Sequence, residues 1–199
     1  LVAARGTAVG FDADHVASLS FSLQMNGYDL ARATAFHERA VAALRAVPGV
    51  TAVADASRLP LAPDVNMDGY TIDGQHGPKD DPTPIDTATA GADYFAAVGV
   101  PLVEGRGFTE QEVLQGRPVA VINEAMAKRY WPGRSAVGQT MHAGDLTKPR
   151  TEVIGVMRDH KVRSIGETPR PYVIRPAEPS RRMQLAVRTS GPANAALPA

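Results

Sequence analysis

Hydrophobic and polar residues alternate with period two over residues 16–25, VASLSFSLQM. Leu19, Phe21, Leu23 and Met25 fall on one side; Ser18, Ser20, Ser22 and Gln24 fall on the other. That pattern predicts a half-buried strand with one wet face, as in an antiparallel or mixed sheet. Asn26-Gly27 ends it, and Asp29 stands where it can cap a helix running from Leu30 to Val47. In that helix Ala33, Phe36, Ala40, Leu44 and Val47 recur at helical spacing and form one apolar face. Pro48-Gly49 stops it, and Val50 to Ala56 reads as a second strand. The unit is β-α-β: either the two strands are parallel neighbours, or a third lies between them in a split arrangement. Leu19, Phe21, Leu23, Phe36, Ala40 and Leu44 are expected to share one core.

Beyond Leu59 the elements shorten. Asn66 to Ile72 and Ile85 to Ala90 read as strands on either side of a polar, proline-broken surface loop, 74–83. Asp93 to Val98 is a short helix closed by Gly99, and Thr109 to Glu112 matches the T-x-x-E capping box. Val119 to Ile122 is a buried strand, and Asn123 caps a helix from Glu124 to Tyr130 that Trp131-Pro132-Gly133 terminates. Glu152 to Met157, Tyr172 to Arg175 and Met183 to Arg188 complete the strands. The fold class expected is α+β, a mixed sheet with helices.

With 199 residues the chain can bury a sizeable core as one large or two small domains. The formal net charge is +0, so no basic surplus points to a nucleic-acid partner. Cysteine is absent, which excludes thiol catalysis, disulfides and cysteine metal sites. No apolar run approaches the ~18 residues of a membrane span, and the opening LVAARGTAVGFDADHV lacks the apolar core of a signal peptide. Residues 187–199 read as a strand leading into a helix, as in a domain excised from between membrane helices. Charge is uneven: acidic residues dominate between Asp55 and Asp93, basic ones between Arg150 and Arg188. A basic face could lie against anionic headgroups or an acidic partner, although a solvated face is the commoner outcome.

Candidate chemistry is sparse. His15, His37, His76, His142 and His160 show no metal-ligand spacing, and Asp64, Asp68, Asp73, Asp80, Asp81 and Asp86 lack the calcium-loop pattern. Gly105-Arg106-Gly107 reads as a tight turn, since no phosphate-loop sequence surrounds it. Tyr130-Trp131 could form an aromatic platform for a sugar or a base, but a core anchor at a helix end accounts for the pair better. No catalytic, cofactor-binding or metal-binding residue is assigned, and any substrate-binding residues are unknown.

One ordered set of motifs is specific. It comprises Asp93-Tyr94-Phe95, the V-P-L-x-x-G-R-x-F turn from Val100 to Phe108, and V-A-V-I-N-E from Val119 to Glu124. R-Y-W-P-G from Arg129 to Gly133, Val137-Gly138 and V-I-G-V from Val153 to Val156 follow. In this order the chain resembles the extracytoplasmic core domain of MacB-type ABC transporter permeases, and among them the acidobacterial duplicated orphan permeases. The resemblance implies a porter-like split β-α-β sheet with helices on one face, at 12–91 and 172–199, and a small α/β subdomain inserted at 92–171. It implies a non-catalytic domain, without cofactor, on the periplasmic face of the inner membrane. There it would transmit ATP-driven movement of membrane helices to a substrate or partner. Implied partners are the rest of the permease, a cytoplasmic ATPase, and a second permease copy or a periplasmic adaptor. The competing readings are a secreted or periplasmic module with a sugar or peptide site near Trp131, and an enzyme whose site is scattered over loops.

Overall fold

The computed structural model describes residues 9–62, 64–75 and 81–193. Strand β1 (Val16–Ser22) leads through a 3-10 turn (Gln24–Asn26) into α1 (Leu30–Arg45), and β2 (Val50–Ala56) follows. The last strand, β10 (Arg182–Thr189), pairs antiparallel with β1 on one side and with β2 on the other. The unit is therefore a split β-α-β, in which the chain's final strand fills the gap between its first two.

The alternating register in β1 holds: Leu19 and Phe21 are half-buried while Ser18, Ser20 and Ser22 are exposed. Alternation ends at Ser22, however, and Met25 lies in the 3-10 turn, 87% exposed. Leu23 escapes to the core because the turn folds it under α1. It packs there with Ala33 and Leu185, joined by Leu19, Phe21, Phe36, Ala40 and Leu44. The Phe21 and Phe36 rings meet edge to face at 5.9 Å. Asp29 caps α1 as its position demands, accepting from the Arg32 N–H at 2.8 Å.

The remaining strands are β3 (Met67–Ile72), β4 (Thr83–Ala90), β5 (Leu102–Gly105), β6 (Val119–Asn123), β7 (Thr140–Ala143), β8 (Arg150–Met157) and β9 (Tyr172–Pro176). Their ladders run β4-β3-β7-β8-β6-β9, and β9 pairs in parallel with β4, so the ring closes on itself as a barrel. Closure removes free edges along this ring. One apolar cluster joins Tyr70, Ile72, Ile122, Met141, Val153 and Val173 from the ring with Met126, Tyr130 and Trp131 from α4 (Glu124–Tyr130) and its end. A second lies between the barrel and the β1-β10-β2 layer, where Ala54, Ala56 and Ala186 meet Tyr94, Phe95 and Val98 of α2 (Tyr94–Val98).

Layer and barrel touch through one residue pair of sheet, Ala56 opposite Ala90. Strand pairing runs across the boundaries expected at 91/92 and 171/172: β3 bonds to β7, and β6 to β9. The capping box at α3 (Glu110–Leu114) is complete, with Thr109 and Glu112 bonding each other's backbone. Arg106 of the Gly-Arg-Gly turn forks onto the Glu112 carboxylate at 2.7 and 2.8 Å. Gly105 has φ +68, and a Cβ there would stand 2.2 Å from the Ile154 carbonyl oxygen, so the turn needs glycine.

Candidate functional site: the strand pair at the chain ends

The segment ahead of β1 is held on several sides. The Asp12 N–H donates to the Val98 carbonyl at 3.1 Å, and the Lys161 N–H donates to the Val9 carbonyl at 2.8 Å. The Asp12 carboxylate accepts from the Arg188 guanidinium at 2.6 Å and lies 2.9 Å from His15 Nδ1. Burial alone would raise the Asp12 pKa, but the bonds to His15 and Arg188 outweigh it and hold the carboxyl below its ordinary value. The exit from β10 runs beside this entry: the Thr189 N–H donates to the His15 carbonyl at 2.9 Å, and the Ala193 N–H to the Asp14 carbonyl at 3.0 Å.

A second cluster ties layer to barrel. Arg58, just past β2, is 0% exposed, and Asp86 on β4 is 2% exposed. Arg58 Nη1 lies 3.6 Å from Asp86 Oδ1, and its Nη2 donates to the Val162 carbonyl at 3.2 Å. Arg163 reaches the same carboxylate oxygen through Nε at 3.0 Å and Nη2 at 2.8 Å. Near this ion cluster lie Tyr94 and Tyr172, whose hydroxyls burial pushes well above the usual phenol range. His160 packs edge to face on Tyr172 with centroids 5.7 Å apart, and burial pushes its pKa down. Buried charges paired in this way make removal of one partner costly.

The candidate residues scatter. His15 belongs to the entry clasp, His37 lies on α1, and His160 sits beside Tyr172. His142 Nε2 contacts Asp73 at 3.2 Å, and its Nδ1 contacts the Lys148 carbonyl at 2.6 Å. His76 and Asp80 lie outside the described residues, as does the centre of the 74–83 loop. Three of the aspartates are engaged by arginines: Asp68 bonds Arg175, Asp73 pairs with Arg150, and Asp86 holds Arg58 and Arg163. Trp131 is 1% exposed and Tyr130 6%, so this pair presents no stacking platform to solvent and anchors the helix end in the core.

Part of the basic stretch from Arg150 to Arg188 is neutralised by the acidic one. Arg150, Arg163 and Arg175 each turn onto an aspartate of the acidic stretch. The sequence held this signal as two opposite biases, read separately rather than as partners. Arg58 could not be recognised as buried from its surroundings in sequence.

The family of MacB-like periplasmic core domains matches residues 6–197, nearly the whole chain. The chain belongs to that family. As a MacB-like periplasmic core domain it is extracytoplasmic. Among solved structures, the periplasmic region of MacB from Actinobacillus actinomycetemcomitans is similar at TM-score 0.57 and 17% identity, covering 91% of this chain and 77% of that one. The extracellular domain of the noncanonic ABC-type transporter YknZ from Gram-positive bacteria gives TM-score 0.52 at 19% identity, over 77% and 73%. A domain of a putative permease protein from Porphyromonas gingivalis gives 0.50 at 16%, over 74% and 65%. At these identities the likeness is one of fold. No curated protein sequence matches. Among the described residues no helix is long and apolar enough to cross a membrane.

Proposed function

We propose that this MacB-like core domain is the extracytoplasmic part of an ABC transporter permease and works by moving, without catalysing a reaction. Membrane helices of the permease, driven by a cytoplasmic ATPase, would pull or tilt the domain through its two ends. A second permease copy or a periplasmic adaptor would receive the motion. The observation that carries this reading is the pairing of entry and exit, with the Ala193 N–H on the Asp14 carbonyl at 3.0 Å and Arg188 on Asp12 at 2.6 Å. Adjacent ends let neighbouring membrane helices act on one layer as a unit. The chain then has two mechanical parts, and we place the seam between β2 and β4 rather than at 91/92 and 171/172. The β3–β7 and β6–β9 ladders support this, because they bind the barrel into one piece.

The seam can be locked. Ala56 and Ala90 are directly opposed, and the chain contains no cysteine to interfere. An Ala56→Cys/Ala90→Cys pair in the full permease is expected to form a disulfide that lowers transport, with recovery on reduction. Unchanged transport with the bond formed would show that motion at this seam is not needed.

A further inference from the structure

Three strand ends meet at one mouth of the barrel, and each carries a cation directly followed by a proline. Arg117-Pro118 precedes β6, Lys148-Pro149 precedes β8, and Arg175-Pro176 closes β9. The ladders explain the meeting. β6 and β8 start side by side in parallel, with the Glu152 N–H on the Pro118 carbonyl at 2.9 Å. β9 runs antiparallel to β6 and so ends where β6 begins. All six residues line one cleft of about 220 Å³. Proline fixes its own φ and confines the residue before it to extended backbone, so each cation leaves a stiff support.

Arg175 forms the floor. It follows Val173 at strand spacing, and Val173 belongs to the apolar cluster of the ring, so Arg175 shares that inner face at the mouth. The Arg175 Nε–H is buried, and no acceptor among the described residues meets it. Its Nη2 bonds Asp68 at 3.0 Å, while Nη1 lies 3.9 Å from Glu178. Glu178 is 71% exposed, so that long contact is loosely held. Arg117 and Lys148 stand at the rim and join no ion pair among the described residues. The Lys148 stem lies across Gly144, where a Cβ would stand 3.0 Å from Lys148 Cγ. The cleft thus holds three cations against one rim carboxylate, with Asp68 behind Arg175.

We propose that this cleft binds a phosphate dianion, free or as a phosphomonoester. Two guanidiniums and an ammonium on separate strand ends reach a ligand from different sides. That arrangement suits a tetrahedral dianion with oxygens all round; a planar carboxylate needs only one guanidinium fork. Arg175 offers its Nε–H at the floor, Arg117 a second guanidinium at the rim, and Lys148 a compact point charge. Glu178 competes for Arg175 and swings away as the ligand enters. Supports that are stiff before binding keep the ordering cost low. The site does not involve the clasp of the chain ends and does not rest on the mechanical reading.

An NMR titration of the isotope-labelled 199-residue chain tests the site. Potassium phosphate is added at constant ionic strength and about pH 8, where the dianion dominates. Saturable shifts are expected at the Arg175 Nε–H and at the Val119 and Thr151 amides, which line the same cleft. Arg117→Gln and Lys148→Gln should each weaken binding about fivefold or more, with melting temperature unchanged. Glu178→Gln removes the competing carboxylate and should tighten binding about twofold. Glycerol phosphate, and phosphatidylcholine vesicles containing phosphatidic acid, separate the sources of the group. Binding of inorganic phosphate alone assigns the free ion, and binding of glycerol phosphate assigns a soluble ester. Vesicle capture that Lys148→Gln abolishes assigns a lipid headgroup. The proposal is overturned by the absence of a saturable shift, by equal shifts with potassium acetate, or by wild-type affinity in either cation variant. Weaker binding by Glu178→Gln overturns it as well.

Discussion

Asp12 and Arg188 stand 176 positions apart in the chain and meet at 2.6 Å, tying the approach to β1 to the end of β10. Gly99 makes room for them: a Cβ there would lie 2.8 Å from both the Asp12 Cβ and Arg188 Nη1. The pair is about a quarter exposed on each side, 27% and 28%, so water screens it only in part.

Breaking that pair should loosen the entry. Arg188→Gln is expected to cost about 1 kcal/mol, which is ~2–4 °C in melting temperature for a chain of this size. Amide exchange at Asp12 and His15 should rise before that of α1. Because the Asp12 pKa is lowered in the fold, its contribution is present above the ordinary carboxylate range and fades as pH falls through the depressed value. The melting-temperature gap between wild type and Asp12→Asn should therefore narrow toward acid.

The buried ion cluster should respond more strongly. Asp86→Asn leaves Arg58 and Arg163 without their shared carboxylate, for an expected loss of about 3 kcal/mol by urea unfolding. Adding Arg58→Met to Asp86→Asn removes the fully enclosed charge and should recover part of that loss. A double variant as unstable as the single one would show that Arg58 is not what the carboxylate compensates.

A third test concerns the α3 cap. The Arg106 bond, opposed by burial and aided by Thr109, brings the Glu112 pKa down to about 2. With the folded value below the unfolded one, the stabilisation is complete above about pH 4–5 and is lost as pH falls through about 2. Glu112→Gln should be less stable than wild type by about 1 kcal/mol at pH 7, with the difference vanishing near pH 2. A constant gap across that range would mean that the carboxylate charge plays no part.

Trp131 supplies the fourth. Its side chain is 1% exposed beside Tyr130, Met126 and Ile122, so Trp131→Ala should cost about 3–5 kcal/mol by creating a cavity. A folded variant with native stability and lost sugar binding would revive the platform reading.

Where residues act on near neighbours, the sequence could be read. The alternation in β1, the Asp29 and Asn123 caps and the Thr109 capping box all appear in the structure at the positions expected. Two strands escaped notice. β5 follows Pro101 and ends in the Gly-Arg-Gly turn, so its Leu102–Gly105 looks like part of that turn. β7 spans only Thr140–Ala143, too short to show a period. Alternation carries Met25 into the strand because it does not reveal that the backbone has already turned. Barrel closure was illegible for a different reason: β3–β7 and β4–β9 join residues far apart in sequence, and local pattern carries no trace of which strands meet. The burial of Arg58 depends on the same long-range arrangement.

The position of β10 also governs how the molecule can be made. Synthesis delivers β1 before the other strands, yet its one sheet partner among the described residues is β10, residues 182–189. Until those residues appear, β1 and β2 have an empty slot between them and VASLSFS is bare along both sides. Such a long wait for closure raises contact order, slows folding and leaves a sticky, uncharged strand open to wrong partners. For a nascent chain, the last strand is thus the keystone, and truncation before Arg182 should yield aggregation rather than a smaller folded domain.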